Sequence, residues 1–162
     1  MRKTFANLIY DKMKADDRIV IITADLGYMM WDNIKLDFPD RFYNCGSAEQ
    51  LMILMGVGMT YENKIPLCYS ITPFLLYRPF EMIRNYVNNE SAPVKLIGCG
   101  RNKEYAHDGF SHWADDEKQI IDIFQNIKKY HPESKDDIKN TIDEFLYNNK
   151  PCYMSISKKI LI

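Results

Sequence analysis

Residues 41–50 place a carboxylate where a strand turns into a helix, a position that suits contact with a ligand. The segment reads Arg-Phe-Tyr-Asn-Cys-Gly-Ser-Ala-Glu-Gln. Its aromatic pair predicts a short strand, and Ser47 with Gln50 predicts a capping box that begins the next helix. Glu49 is then expected in the first helical turn, at the sheet edge where α/β proteins bind ligands. A carboxyl group buried in apolar surroundings can hold or share a proton near neutral pH, whereas an exposed one would only complement the helix dipole.

A second group of reactive side chains lies at 105–112, which reads Tyr-Ala-His-Asp-Gly-Phe-Ser-His. His107, Asp108 and His112 fall within six positions, and Gly109 permits a tight backbone turn between them. The segment is either a substrate-binding loop or a polar surface loop. A metal site is a weaker interpretation, because one aspartate and two histidines need further ligands that the sequence does not single out.

The elements that must position these groups alternate along the chain. Continuous β-branched runs predict buried strands, and apolar stripes at helical spacing predict helices. The predicted helices are 2–14, 51–61, 75–88, 120–126 and a Ser134-capped helix through Tyr147; the predicted strands are 42–43, 18–23, 65–70, 94–98, 127–131 and 152–156. This order predicts one α/β domain over 1–162, with a doubly wound, mainly parallel sheet and helices on both faces. Function is expected in the loops after the strands, at 24–27, 44–49, 70–74, 98–112 and 157–159.

Composition excludes several classes of protein. The net charge of −1 gives no footprint for nucleic acid or for an anionic membrane surface. No apolar run approaches the roughly 18 residues of a membrane span, and the amino terminus lacks a signal peptide's apolar stretch. The four cysteines form no Cys-x-x-Cys pair and are each expected at a strand end, as reduced thiols of a cytoplasmic protein with no metal site. No glycine-rich phosphate-binding motif is present.

The order of motifs resembles the pyrimidine-binding domain of the transketolase family of thiamine-diphosphate enzymes. The resemblance covers nearly the whole chain, and the ordered set of motifs is specific although no single one is. Two of them are Gly-Ser-Ala-Glu-Gln at 46–50 and Asp-Gly-Phe-Ser-His at 108–112. The other matching segments are 22–27, 39–45, 56–59, 64–66, 74–84 and 93–98.

The resemblance implies a role for each candidate residue on the cofactor side. Glu49 would hydrogen-bond N1′ of the aminopyrimidine ring and so promote removal of the C2 proton of thiamine diphosphate. Asp25 would line the cofactor pocket. The ring that stacks on the aminopyrimidine would be Phe74, with Tyr77 as the second candidate. This is a departure, since the family's aromatic positions fall on Thr72 and Leu75.

On the substrate side, Asp108 and His112 would contact the hydroxyl and phosphate groups of a sugar-type substrate. Glu49 and His112 are the catalytic candidates. Arg2 and Lys158 would bind a substrate phosphate, although the family usually has arginine at the second position, whose fork binds phosphate in two places.

The family's diphosphate-binding domain, which holds magnesium and diphosphate, has no counterpart in this sequence. The resemblance therefore implies a separately encoded diphosphate-binding subunit, self-association within a heterotetramer of two copies of each, and transfer of a two-carbon ketol unit between sugar-type substrates. The alternatives are a subunit of another thiamine-diphosphate enzyme, either deoxyxylulose-phosphate-synthase-like or acting on 2-oxoacids, and a non-catalytic binding domain that kept the fold.

Overall fold

A computed structural model describes residues 1–158; Lys159, which the sequence placed in the last loop, lies outside them. The described residues form a six-stranded sheet in the order β2-β1-β3-β4-β6-β5, and every neighbouring pair is parallel. The strands are β1 Ile19–Thr23, β2 Phe42–Asn44, β3 Ile65–Ile71, β4 Lys95–Cys99, β5 Lys128–Tyr130 and β6 Cys152–Ile156. The predicted α/β fold class is confirmed, and the sheet is parallel throughout.

Helices cover both faces of this sheet, as predicted. They are α1 Arg2–Ala15, α2 Asp32–Asp37, α3 Glu49–Tyr61, α4 Thr72–Tyr77, α5 Phe80–Met82, α6 Glu117–Asp122 and α7 Lys135–Tyr147. One apolar core joins the sheet to α1, α2 and α7, and a second joins it to α3, α4, α5 and α6. Strands β1, β4 and β6 are buried at every residue, which explains their nearly continuous apolar sequences.

Two helix predictions are wrong in ways that matter for the site. The helix predicted at 75–88 is broken, because Pro79 has no amide hydrogen to continue the ladder; α4 ends at Tyr77, and α5 continues as a π-helical segment, Ile83–Asn89. The capping box of Ser47 with Gln50 is absent. Helix α3 begins at Glu49, so its cap position falls on Ala48, which has no side-chain acceptor.

Smaller differences concern α2, which the sequence analysis did not predict, and one cysteine. Cys68 lies inside β3 rather than at a strand end. The four cysteines are free thiols. No helix among residues 1–158 is long and apolar enough to cross a bilayer.

The strand order turns back between β1 and β3, since β2 lies outside β1 and the later strands lie beyond β3. Such a point opens a crevice at the carboxyl ends of the strands, where α/β proteins bind ligands. The loop after β1 and the amino terminus of α4, after β3, flank this crevice, and α3 begins after β2 at the same edge.

Candidate active site

Glu49 is buried at the start of α3. Its side chain is 3% exposed although it is the first residue of the helix. The turn that leads into it contains Gly46 at φ +66°, a left-handed conformation that glycine adopts without a steric penalty. The expected position in the first helical turn is therefore confirmed, and the burial exceeds what a residue that only complements the helix dipole needs.

The surroundings of Glu49 are not purely apolar, because Arg78 contacts its carboxylate. Nη1 of Arg78 donates a hydrogen bond of 2.7 Å to Oε1 of Glu49. The same guanidinium lies over the ring of Phe74. Its Cζ atom is 3.7 Å from the ring centroid, which makes this a cation–π contact. Arg78 follows the last residue of α4 and precedes Pro79, so the helix break places it at this junction.

Phe74 lies between the cofactor-side and substrate-side candidates. Its ring meets the imidazole of His112 edge to face, with centroids 4.8 Å apart. Thr72 and Leu75, where the family places its aromatic residues, are 1% and 0% exposed and belong to the interior. Phe74 is only partly buried, so it offers a ring to a ligand in the crevice.

His112 and Asp108 end two successive short 3₁₀ turns joined by Gly109, whose φ is +88°. Nδ1 of His112 lies 3.1 Å from Oγ of Ser111. Asp108 is exposed and pairs with His107, whose Nε2 is 3.1 Å from its carboxylate. The structure thus places His112 against Phe74, whereas the Asp108 carboxylate pairs with His107 on the loop itself.

Tyr77 faces a different part of the surface. It lines a cavity of about 530 Å³ together with Pro73, Phe110, Trp113 and Asp116. Burial and the neighbouring Asp116 carboxylate raise the pKa of Tyr77. Its hydroxyl side therefore belongs to this cavity, while Phe74 is the aromatic residue that contacts Arg78 and His112.

Arg2 and Lys158 come together, although they begin and end the described chain. Both line a cavity of about 410 Å³, joined there by Lys3, Lys135 and Tyr28. Burial, with a smaller contribution from Lys135, lowers the pKa of the terminal amino group in the same cavity. Four cationic side chains around one opening can bind a phosphate by charge attraction.

Asp25 lies on the loop after β1 with its side chain exposed. Its backbone amide donates a 2.8 Å hydrogen bond to Oδ1 of Asn44 at the end of β2. Its φ of +55° is left-handed, a conformation that aspartate tolerates better than most residues. The contact ties the loop after β1 to the segment that leads into α3.

The loop that carries His112 is fixed at both ends. Asn102 and Ala114 form an antiparallel bridge across its base. Arg101, just before it, donates hydrogen bonds to the carbonyl oxygens of Ser155 and Pro132 at 2.7 and 2.8 Å. The loop is therefore anchored to the end of β6 and to the segment after β5.

Sequence reasoning missed Arg78, Lys3 and Lys135 as members of these sites. Pro79 marks a helix break, which was a local signal that Arg78 stands at a helix end. Its contact with Glu49, 29 positions away, has no local signal.

The sequence matches the family description "Transketolase, pyrimidine binding domain" over residues 1–162. It is similar to a "Putative transketolase C-terminal section" of Methanocaldococcus jannaschii, with 29% identity over 98% of this chain and 51% of the relative. It is also similar to "6-deoxy-6-sulfo-D-fructose transketolase subunit SqwH" of a Clostridium species, with 25% identity over 98% of this chain and 50% of the relative. The chain thus spans about half the length of these curated relatives.

Among solved structures, one described as "Split gene transketolase, inactive beta4 tetramer" superposes with a TM-score of 0.87. The match covers 99% of this chain and 52% of that chain, at 22% identity. At that identity the likeness establishes the fold.

Proposed function

Because the chain belongs to the transketolase family and matches its pyrimidine-binding domain, we propose that it is the pyrimidine-binding part of a split thiamine-diphosphate-dependent transketolase. The reaction is transfer of a two-carbon ketol unit between sugar-type substrates, and the whole chain acts as one pyrimidine-binding domain. The observation that carries this proposal is the burial of the Glu49 carboxyl group at the start of α3, at the carboxyl edge of the sheet and within reach of the Arg78–Phe74 pair.

The residues present fit the aminopyrimidine half of the cofactor. Glu49 offers a buried carboxyl group for a ring nitrogen, and Phe74 offers a partly exposed aromatic face near it. When bound, thiamine diphosphate supplies the carbanion-type chemistry, and the protein supplies orientation and proton transfer. Asp25, on the loop that Asn44 holds beside the start of α3, would line the same pocket.

Each remaining candidate has one task in this proposal. Glu49 holds and releases a proton at N1′, and Phe74 orients the ring by stacking. His112, in edge-to-face contact with Phe74, exchanges a proton with a substrate hydroxyl, while Asp108 accepts a hydrogen bond from another. Arg2 and Lys158, on their shared cavity, bind a substrate phosphate.

We propose that a separately encoded partner subunit holds the diphosphate and magnesium, since a solved structure of the same fold is described as a split-gene transketolase. The names of the relatives, one a C-terminal section and the other a transketolase subunit, support a divided enzyme. We propose a heterotetramer of two copies of each chain. A cytoplasmic location belongs to this proposal, since free thiols are typical of reducing compartments.

The test is reconstitution. The full chain alone is expected to bind thiamine diphosphate weakly and to turn over no substrate; both properties should appear when a diphosphate-binding transketolase subunit encoded in the same genome is added. Calorimetry measures cofactor binding, and a ketol-transfer assay measures turnover. Micromolar cofactor affinity together with turnover by this chain alone would refute the divided-enzyme proposal.

A further inference from the structure

The guanidinium of Arg78 lies in the place that a ligand ring would need. We propose that Arg78 competes with the aminopyrimidine ring of the cofactor for Glu49 and Phe74, so that the ring binds only when the arginine side chain swings out. This inference rests on the proposed function, because it takes Glu49 and Phe74 as the two groups that hold the ring.

The first argument is that a guanidinium and an aminopyrimidine ring make the same two kinds of contact. A guanidinium is planar, presents N–H groups at its edge and stacks through its face. In this structure its edge meets the Glu49 carboxylate at 2.7 Å and its face meets the Phe74 ring at 3.7 Å. An aminopyrimidine is also planar, hydrogen-bonds at its edge and stacks through its face. At 3.7 Å no second planar group fits between the guanidinium and the phenyl ring.

The second argument is access to the carboxylate. The side chain of Glu49 is 3% exposed and that of Arg78 is 45% exposed. Among the described residues, Arg78 is the one side chain that hydrogen-bonds or ion-pairs with the Glu49 carboxylate. A ligand that approaches from the crevice therefore meets Arg78 before it meets Glu49.

The third argument is that the arginine side chain can move while its backbone stays in place. The carbonyl oxygen of Arg78 accepts a hydrogen bond of 3.4 Å from Nε2 of Gln50 in α3, and Pro79 follows directly. The guanidinium itself is held by one hydrogen bond and one ring contact, and its 45% exposure leaves one side in water, where salt partly screens its charge. Displacement is therefore feasible on ligand binding.

Competition has a measurable consequence. If the guanidinium covers Glu49 about nine-tenths of the time, the apparent dissociation constant of the ring rises about tenfold. Arg78→Gln removes the cation but keeps a side chain that can hydrogen-bond Glu49 transiently. Arg84→Gln is the matched control, since Arg84 is exposed in the segment that follows and its guanidinium donates a hydrogen bond to the neighbouring Asn85.

The experiment titrates the folded full chain and its variants with 4-amino-5-hydroxymethyl-2-methylpyrimidine and, separately, with thiamine diphosphate, followed by NMR shifts of the α3 amides. Arg78→Gln is expected to bind the pyrimidine about tenfold more tightly than the unmodified chain, and Arg84→Gln is expected to match the unmodified chain. Raising the salt concentration from about 0.05 to 0.5 M should tighten binding of the pyrimidine to the unmodified chain and leave its binding to Arg78→Gln unchanged.

Weaker binding by Arg78→Gln would overturn the proposal, because Arg78 would then hold the ring rather than compete with it. Equal binding in all variants, including none detectable in any of them, would also overturn it. If Arg78→Gln does not fold by circular dichroism, Arg78→Met takes its place, since methionine keeps an unbranched side chain without a charge or a hydrogen-bond donor, and tighter binding is again expected.

The double variant Glu49→Gln/Arg78→Gln separates this inference from the proposed function. The gain in affinity should vanish in it, since Glu49 is the group that the arginine uncovers. If Glu49→Gln stops C2 proton exchange in the reconstituted enzyme while Arg78→Gln leaves pyrimidine affinity unchanged, the competition is wrong and the proposed function stands.

Discussion

The rings of Phe74 and His112 meet edge to face at 4.8 Å, and this contact joins two segments that the sequence presents far apart. Phe74 is in α4, directly after β3, and His112 ends a 3₁₀ turn in the loop after β4. The neighbouring strands β3 and β4 are paired in parallel, so both segments emerge at the same edge of the sheet. A movement of the His112 loop would therefore change the packing of the Phe74 ring, which we assign to cofactor stacking.

We predict that Glu49→Gln removes most turnover in the reconstituted enzyme while leaving the fold and the assembly intact. Glutamine has nearly the same shape but cannot exchange a proton with N1′, and general acid–base groups contribute about 10²–10⁴-fold. The readout is hydrogen–deuterium exchange at C2 of the bound cofactor. Glu62→Gln, at the other end of α3, is the control and should exchange normally. If Glu49→Gln exchanges the C2 proton as fast as the unmodified enzyme, Glu49 does not activate the cofactor and only complements the helix dipole.

We predict that His112→Ala and Asp108→Ala each lower kcat/KM for the sugar substrate by more than about tenfold, in the range of a lost catalytic or binding contact. Cofactor affinity should stay close to that of the unmodified enzyme. Asp115→Ala is the control, because Asp115 is exposed beside the same loop and pairs with Lys103. If both variants keep normal kinetics with the true substrate, the loop is structural.

We predict a pH-dependent contribution of Glu117 to stability. Burial alone would raise the pKa of Glu117, but the polar groups of His131, Ser155 and Tyr153 around its carboxylate outweigh burial and hold this pKa below its usual value of 4.5. The Tyr153 hydroxyl donates a hydrogen bond of 2.8 Å to Oε1 of Glu117. Because the folded pKa is the lower one, the stabilisation is present above pH 4.5 and is lost as the pH falls through the folded pKa.

Glu117→Gln should therefore lower the melting temperature most at neutral pH, and the difference from the unmodified chain should shrink in acid. Thermal unfolding between neutral and acidic pH measures this. The exposed substitution Glu81→Gln serves as the control. A difference that stays constant with pH would contradict the assigned ionisation.

We predict opposite effects for two glycines of α3. A Cβ atom on Gly56 would lie 2.8 Å from Sγ of Cys68, in the core beneath the helix, whereas one on Gly58 meets nothing within 4 Å. Gly56→Ala should lower the free energy of unfolding by about 1–3 kcal/mol through overpacking. Gly58→Ala should raise it by about 0.5–1 kcal/mol, since alanine favours the helix. Urea unfolding measures both changes. Equal changes in the free energy of unfolding would contradict the orientation of α3, in which Gly56 faces the sheet and Gly58 does not.

The sequence predicted features that depend on local patterns. The predicted cap at Ser134 is present, and the structure adds a capping box with Asp137, three positions on. The same reasoning failed at Ser47, where the helix begins one residue later than the pattern suggests and the cap falls on Ala48. A helix start that is set by burial of Glu49 has no signature in the cap residues themselves.

The sequence predicted individual residues of the candidate site but missed contacts between residues that are distant in the chain. Glu49 was singled out because a carboxylate follows a strand-to-helix turn, but that pattern also fits a residue that only complements the helix dipole, and the assigned role came from the family resemblance. The pairing of Glu49 with Arg78 depends on how α3 packs against the end of α4. Arg2 and Lys158 line one cavity because the start of α1 lies near the end of β6. Such contacts are set by tertiary packing, which residue types and spacing do not encode locally.

The bridge between Asn102 and Ala114 has a consequence for how this enzyme can diverge over time. The bridge and the Arg101 hydrogen bonds close the base of the loop, so its tip does not have to hold the sheet together. Under the function proposed above, natural selection could therefore alter or lengthen the tip on either side of His112 and so change the sugars accepted, while the fold is inherited unchanged. Glu49 lies on a separate helix, α3, so such changes leave its carboxyl group in place.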